Sequence, residues 1–469
     1  MATNFAALTL AEVVCRAMSV AVTLSLTRRL GPAGFGKIEF AFNVVFWLVL
    51  LVRDGLEVIA SREIARHPRL IRPLVNHILA VKGMLALGLF AGLVAVGSLT
   101  LTEPTERLVL AGYGLMLLTT AMGLDFVYRG LESMGLVAAS LCVRTAIYAA
   151  GVALWVTGPS QLVLVPACLV AGEACGIALV WACYARRFGL PRPQLGGQSL
   201  WVFLRRGRPV YLIQISQAVI GSADLLVIGL TCRWTDVGVY SAAHRMAMVV
   251  LTFGLIVQQV IFPALSRSWR EAPDSGRRAL DASVRFLVMG LLPMAIGATV
   301  LAGPLVRCLG RSDDYAAAAL LLALGIWRAP LLTLAYLYQT AMIALNRESS
   351  GVKLLVTAAA ISAPLVMALR WGFGLPGASV AVVLIGLGLL LAGHRQLARS
   401  GRQPAWHHHL GRPLLAAMAM VPVCLTLQRW HVLLAVAGGA LTYVVALAAL
   451  GGLSFQELRP TLSRSRAQG

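Results

Sequence analysis

The chain has 469 residues, of which 59% are hydrophobic and 13% charged, with a mean hydropathy of +0.80. Soluble globular domains carry roughly 25% charged residues because their surface faces water, so most of this surface faces something else. The composition excludes a disordered, collagen-like or disulfide-scaffold protein and describes an integral membrane protein.

A spanning helix needs roughly 20 residues to cross about 30 Å of hydrocarbon. Fourteen apolar segments of that kind follow one another: 8–27, 38–59, 75–98, 108–128, 136–157, 162–184, 209–231, 238–263, 286–306, 316–340, 354–371, 376–396, 413–428 and 432–450. The first lacks a basic leader and a small-residue cleavage site, so it reads as a retained helix rather than a signal peptide. The eight cysteines form no CxxC pair and lie mostly within apolar stretches, which suits small buried hydrophobes better than disulfides or metal ligands.

The formal net charge of +21 suggests nucleic acid until its distribution is read. With the N-terminus in the cytoplasm, 25 Lys and Arg fall in connections on the inner side and 9 on the outer side. By the positive-inside rule this predicts both termini in the cytoplasm. The basicity is then topology, and no nucleic-acid partner is expected. The longest polar connection, 186–208, predicts a six-helix lobe (1–185) and a basic linker. A second six-helix lobe (209–400) follows, then two extra helices with a basic tail (401–469). A second basic stretch, 264–285, is patterned like an interfacial amphipathic helix. The outer loops are short, which disfavours a membrane glycan polymerase or ligase that needs a large extramembrane catalytic loop.

The halves show a weak internal likeness. Leu30-Gly31-Pro32-Ala33-Gly34-Phe35-Gly36 enters the second segment, and Thr235-Asp236-Val237-Gly238-Val239-Tyr240 enters the eighth. Six helices per half insert both halves the same way up, as in repeats related by an axis along the membrane normal.

Charges at bilayer depth cost about 3 kcal/mol each on insertion scales and therefore point into protein or water. The bases are Arg16, Arg53, Lys82, Arg144, Arg245 and Arg328; the acids include Glu12, Asp54, Glu57, Glu173 and Asp224, with Asp125 nearer a helix end. Lys82, Arg144 and Arg328 read as structural or snorkelling residues. Glu12 and Arg16 are four apart on one helix face and Asp54 adjoins Arg53, so internal pairing is one reading of these charges. Asp224, Glu12 and Glu173 are candidates for ion coupling, with an Asp224–Arg245 ion pair as the alternative. Gln214, Gln217 and Gln258 (with Gln259 beside it) suit either sugar hydroxyls or interhelical hydrogen bonds. Trp406-His407-His408-His409 looks metal-like, but three consecutive histidines cannot face one ion from a regular helix, so no metal site is expected. No phosphate-binding glycine loop, GxSxG or HExxH occurs, so neither a cofactor nor ATP hydrolysis is expected. The drive must be an ion gradient, the membrane potential or the substrate's own gradient.

Five stretches carry a family likeness. They are Arg29–Gly36; Asp125-Phe126-Val127-Tyr128-Arg129-Gly130-Leu131-Glu132; Val237–Arg245; Phe262-Pro263-Ala264-Leu265-Ser266-Arg267; and Gly374-Leu375-Pro376-Gly377-Ala378-Ser379. In these the chain resembles the Wzx-type oligosaccharide flippases of the multidrug/oligosaccharidyl-lipid/polysaccharide (MOP) exporter superfamily. The resemblance implies an all-α membrane protein of two pseudo-symmetric six-helix lobes, MATE-like, with two further helices. It implies transport of undecaprenyl-diphosphate-linked oligosaccharide between leaflets by alternating access, alongside polysaccharide polymerase and chain-length machinery. In that family the first, second, seventh and eighth helices line the cavity, which makes Arg16, Arg53 and Arg245 a ladder for the diphosphate. A lipid II flippase and a MATE-like cation or drug antiporter share the fold and stand as alternatives. The intramembrane arginines disfavour a cation, and Lys37-Ile38-Glu39-Phe40 departs from the run usual in the lipid II branch.

Overall fold

The computed structural model describes all residues except 1, 192–196, 272, 311–312, 346, 400, 402–403, 405 and 452–469. Part of the 186–208 connection, the basic tail, the side chains of the 407–409 histidine run and that of Asp54 lie outside the described set. Among the described residues the chain is helical with no strand. That is the solution for a chain whose backbone polar groups must be satisfied without water.

Among the described residues, twelve helices are long and apolar enough to cross a membrane. Two of them are broken in the middle. Helix α1 (Ala2–Arg66) breaks at Gly31 (φ 67°, ψ 177°) before Pro32. Its positive φ is open to glycine, and the proline that follows cannot donate to a helical ladder. Helix α13 (Glu348–Ala398) breaks likewise at Gly374 (φ 66°, ψ −150°). Division at these two points yields the fourteen expected segments, with boundaries within a few residues of those read from hydropathy, apart from polar extensions such as those of α7 and α8.

The chain divides into two compact units, 1–241 and 242–469. The first holds α1, α2 (Ile71–Thr100), α3 (Pro104–Ala121), α4 (Asp125–Gly130), α5 (Met134–Trp155), α6 (Leu164–Phe188), α7 (Gly197–Thr231) and the first turns of α8 (Trp234–Glu271). The first arm of α1 packs on α5. At its end, Arg29 Nη1 donates to the carbonyls of Val152, Ala153 and Val156 at 3.2, 2.9 and 2.7 Å. These lie at the C-terminal end of α5, where helix carbonyls run short of backbone donors, so Arg29 caps the neighbouring helix. The second arm of α1 is fastened to α7. Tyr211 Oη donates to the Leu51 carbonyl (2.8 Å), Trp47 Nε1 to Ser222 Oγ (2.7 Å), and Asn43 Nδ2 to the Ser222 carbonyl (3.3 Å). The Phe40 ring lies against Gly229. At the kink, the Gly36 α-carbon faces the Trp234 carbonyl while that of Gly238 faces the Pro32 carbonyl. The two junctions alike in sequence therefore touch backbone to backbone.

The second unit holds the rest of α8, α9 (Pro273–Val300), α10 (Ala302–Arg307), α11 (Ala316–Gly325), α12 (Arg328–Ala344), α13, α14 (Trp406–Leu427) and α15 (Val432–Ala449). Helix α12, buried along most of its length, packs on α13 and α9. The α14–α15 hairpin closes over α9, where Tyr443 Oη donates to the Met289 carbonyl at 2.7 Å above a core of Ile296, Met420, Cys424 and Leu447. The 264–285 stretch is not a separate interfacial helix. It is the facing ends of α8 and α9, with Leu265, Leu280 and Val284 buried and the Trp269 indole over Gly276. Its apolar residues pack against protein.

Candidate functional site

Apart from Asp224, the described intramembrane charges singled out in the first unit fall into three groups. Arg16, on the first arm of α1, is exposed and lies within electrostatic range of half-buried Glu12, one turn earlier. A fully buried pair joins α1 to α2: Lys82 Nζ donates to Glu57 Oε1 at 2.7 Å. Lys82 also donates to the Gly123 carbonyl at 3.3 Å and sits 5.8 Å from the Phe126 ring centroid. Enclosed on all sides by protein, Lys82 is a staple between helices.

The third group links α4, α5 and α6. The Arg144 guanidinium forks, Nη2 reaching Asp125 Oδ2 at 2.8 Å and Nη1 reaching Glu173 Oε2 at 3.2 Å. Its stem lies across Gly176. Each side chain of the trio keeps 17–19% exposure, so the group is neither dry nor free in water. Arg53, exposed on the second arm of α1, lies within electrostatic range of Glu173. Two guanidinium groups and two carboxylates thus share one neighbourhood. Protonating Glu173 would remove one negative charge from beside Arg144 and Arg53. An anion entering that neighbourhood competes with Glu173 for Arg53.

Asp224 on α7 is buried and accepts a hydrogen bond from Tyr240 Oη at 2.8 Å. Gln214 and Gln217 are partly exposed on α7. In the second unit Arg245 is partly exposed, and its neighbour His244 is buried with Nδ1 2.9 Å from Arg328 Nη1. Since the guanidinium can only donate, that imidazole nitrogen accepts. Gln258 is buried and donates to the Thr333 carbonyl at 2.7 Å, tying α8 to α12. Among the described residues no group of three His, Cys, Asp or Glu is placed to hold a metal ion.

The structure therefore brings Glu173 together with Arg144, Asp125 and Arg53, and Arg16 with Glu12, while Arg245 lies in the other unit. The fork at Arg144 and the Tyr240–Asp224 bond were not legible in the sequence. The available signal for the fork was an excess of intramembrane charge on three successive helices.

An all-helical chain with this many apolar spans, kinked at matching glycine–proline junctions, is a multi-pass membrane protein with the MOP-type transporter fold. The family described as "Polysaccharide biosynthesis protein" matches residues 1–269, and the chain belongs to that family. Among solved structures, the lipid II flippase MurJ in its inward closed conformation is similar, with a TM-score of 0.74 at 12% identity. That match covers 94% of this chain and 98% of the other. An inward-facing multidrug resistance MATE family transporter of the MOP superfamily gives 0.69 at 13% identity, over 83% of this chain and 96% of its own. A Vibrio cholerae MATE transporter in the bent form gives 0.53 at 15% identity, over 84% and 99%. None of the curated proteins matches the sequence.

Proposed function

We propose that this chain is a flippase carrying undecaprenyl-diphosphate-linked oligosaccharide from the inner to the outer leaflet of the bacterial inner membrane, for surface polysaccharide biosynthesis. The observation that carries the reading is the pair of exposed guanidinium groups at bilayer depth on α1, Arg16 and Arg53, in a chain of the polysaccharide biosynthesis family. A dianionic head group crossing hydrocarbon loses its hydration and needs fixed cations in exchange. Guanidinium supplies them with paired donors matched to phosphate oxygens.

Arg16 and Arg53, with Arg245 of the second unit, receive the diphosphate as the site opens alternately to the two sides. Gln214 and Gln217 are assigned to sugar hydroxyls. Gln258, whose amide is committed to Thr333, has less left to offer them. Glu173 is the preferred coupling group, because it is bonded to Arg144 and lies within electrostatic range of Arg53, with Asp224 and Glu12 as lesser candidates. The chain does no covalent chemistry on its cargo in this reading. Both termini lie in the cytoplasm, and polymerase and chain-length machinery act on the delivered product.

The test is surface polysaccharide output, with lipid-linked intermediate measured in each leaflet, in cells carrying Arg16→Ala or Arg53→Ala at normal membrane abundance. The expected result is loss of surface polymer with intermediate retained on the inner side. Full output from both variants would overturn the reading. The likeness to MurJ supports a second reading, transport of a cell-wall precursor. Complementation of a strain lacking lipid II flippase activity separates the two.

A further inference from the structure

We infer that one end of the first unit, built from the α1–α2 turn, α4 and the end of α6, binds the phosphate head group of an anionic membrane phospholipid. Arg66, Arg69, Arg72, Arg129, Arg186 and Arg187 are all exposed there. They sit where four membrane-spanning helices end or begin. They share one neighbourhood because their helices are joined beneath by a common core that includes Ile64, Ile71, Phe126 and Tyr184. Arg72 on α2 reaches the residue just after α6, Gly189. On these segments the acids that face the same surface are Glu63, half-buried, and Glu132, exposed. Topology rules account for an excess of arginine at a membrane face, so number alone makes no site.

The second observation is beneath the arginines. The hydroxyls of Tyr128 and Tyr184 are buried without a hydrogen-bond partner, although the residues are only 4% and 1% exposed. Tyr184 lies within electrostatic range of Arg72, and Tyr128 within range of Arg187 and Tyr184. Buried hydroxyls are nearly always paired in folded proteins. Two orphan donors within electrostatic range of two guanidinium groups form a set suited to an acceptor-only oxyanion.

Apolar side chains at the same level point to a lipid as the source of that anion. Leu70 is 42% and Leu190 76% exposed, next to Arg69 and Gly189 and just beyond the spans ending at Arg66 and Phe188. A free phosphate gains nothing from exposed leucine, whereas a phospholipid meets arginine with its head group and leucine with its acyl chains. The inference is independent of which side of the membrane this end faces and of the cargo carried.

The test titrates the purified full chain in detergent with phosphatidylglycerol, phosphatidylcholine and inorganic phosphate, reading the melting temperature and bound adducts by native mass spectrometry. Phosphatidylglycerol is expected to stabilise the protein and form a discrete adduct; the other two are not. The double variant Arg72→Gln/Arg187→Gln should bind phosphatidylglycerol about tenfold more weakly. Tyr128→Phe/Tyr184→Phe should bind it about fivefold more weakly while melting no lower than the parent without lipid. Equal response to phosphatidylcholine, reproduction of the effect by inorganic phosphate, or unchanged affinity in the tyrosine variant would overturn the inference. If the arginine variant fails to fold, the tyrosine variant decides.

Discussion

The α-carbon of Gly238 at the start of α8 lies against the backbone carbonyl of Pro32 at the α1 kink, so closely that a β-carbon there would overlap the oxygen. Backbone cannot retreat as a side-chain tip can, so even alanine must push the two helices apart. Gly238→Ala is expected to cost about 1–3 kcal/mol, the usual range for overpacking, and Gly238→Val more. Thermal unfolding of purified protein in detergent checks the order: parent above alanine above valine.

The Lys82–Glu57 pair is the next most exacting contact, because Lys82 is wholly enclosed. Removing one partner strands the other charge. Lys82→Met alone and Glu57→Gln alone should each lower stability, the lysine change by about 3–5 kcal/mol. The double variant Lys82→Met/Glu57→Leu should recover much of that loss, since replacing a buried pair by apolar side chains is often neutral. A double-mutant cycle on melting temperature and membrane abundance measures the coupling.

Hydropathy reveals helices well because each span needs an apolar window of nearly fixed length. Segment 108–128 corresponds to α3 and α4 together, and 432–450 to α15. The 28–37 stretch, read as a connection between two segments, is instead a kink at Gly31 within one long helix. Charge partners were not legible. Spacing along one helix places Glu12 beside Arg16, but Glu57 and Lys82 are 25 positions apart and sit on different helices. Arg144 meets one carboxylate 19 positions earlier and another on the following helix, so its role as a fork follows from tertiary packing. Asp224 likewise accepts a hydrogen bond from Tyr240 across the α7–α8 turn, a contact that charge patterning along the sequence does not suggest.

At the opposite end of the first unit, Lys37 joins Glu103 and lies 3.0 Å from Glu106. The hydrogen bond from Lys37, with its charge, holds the Glu103 carboxyl below the usual carboxylate range. A depressed folded-state pKa adds stability that is present above the unfolded value and lost as pH falls through the folded one. The parent should therefore lose part of its advantage over Lys37→Met as pH drops below about 4.5, the ordinary value for glutamate. Melting temperatures of both proteins across pH 3–7 check this, with the curves converging at the acid end. Glu103 is exposed, so the gap should be small and should shrink in high salt.

Glu173 separates coupling from structure. Arg144 holds Asp125 and Glu173 at once, so Arg144→Ala strands two carboxylates. Arg144→Lys, with a single point charge, cannot reproduce the fork. Both should lower stability, which makes them poor probes of transport. Glu173→Gln keeps the side-chain shape and the Arg144–Asp125 bond while fixing the cluster in the charge state of a protonated Glu173. Its melting temperature should stay within a few degrees of the parent's, given that a 1 kcal/mol change moves a chain of this size by roughly 2–4 °C or less. If the proton on Glu173 governs whether Arg53 is available to an anion, the variant should flip its lipid-linked cargo in proteoliposomes with a rate that no longer answers to an imposed pH gradient. A variant that responds to the gradient as the parent does would remove Glu173 from the coupling role and leave it as the second anchor of Arg144.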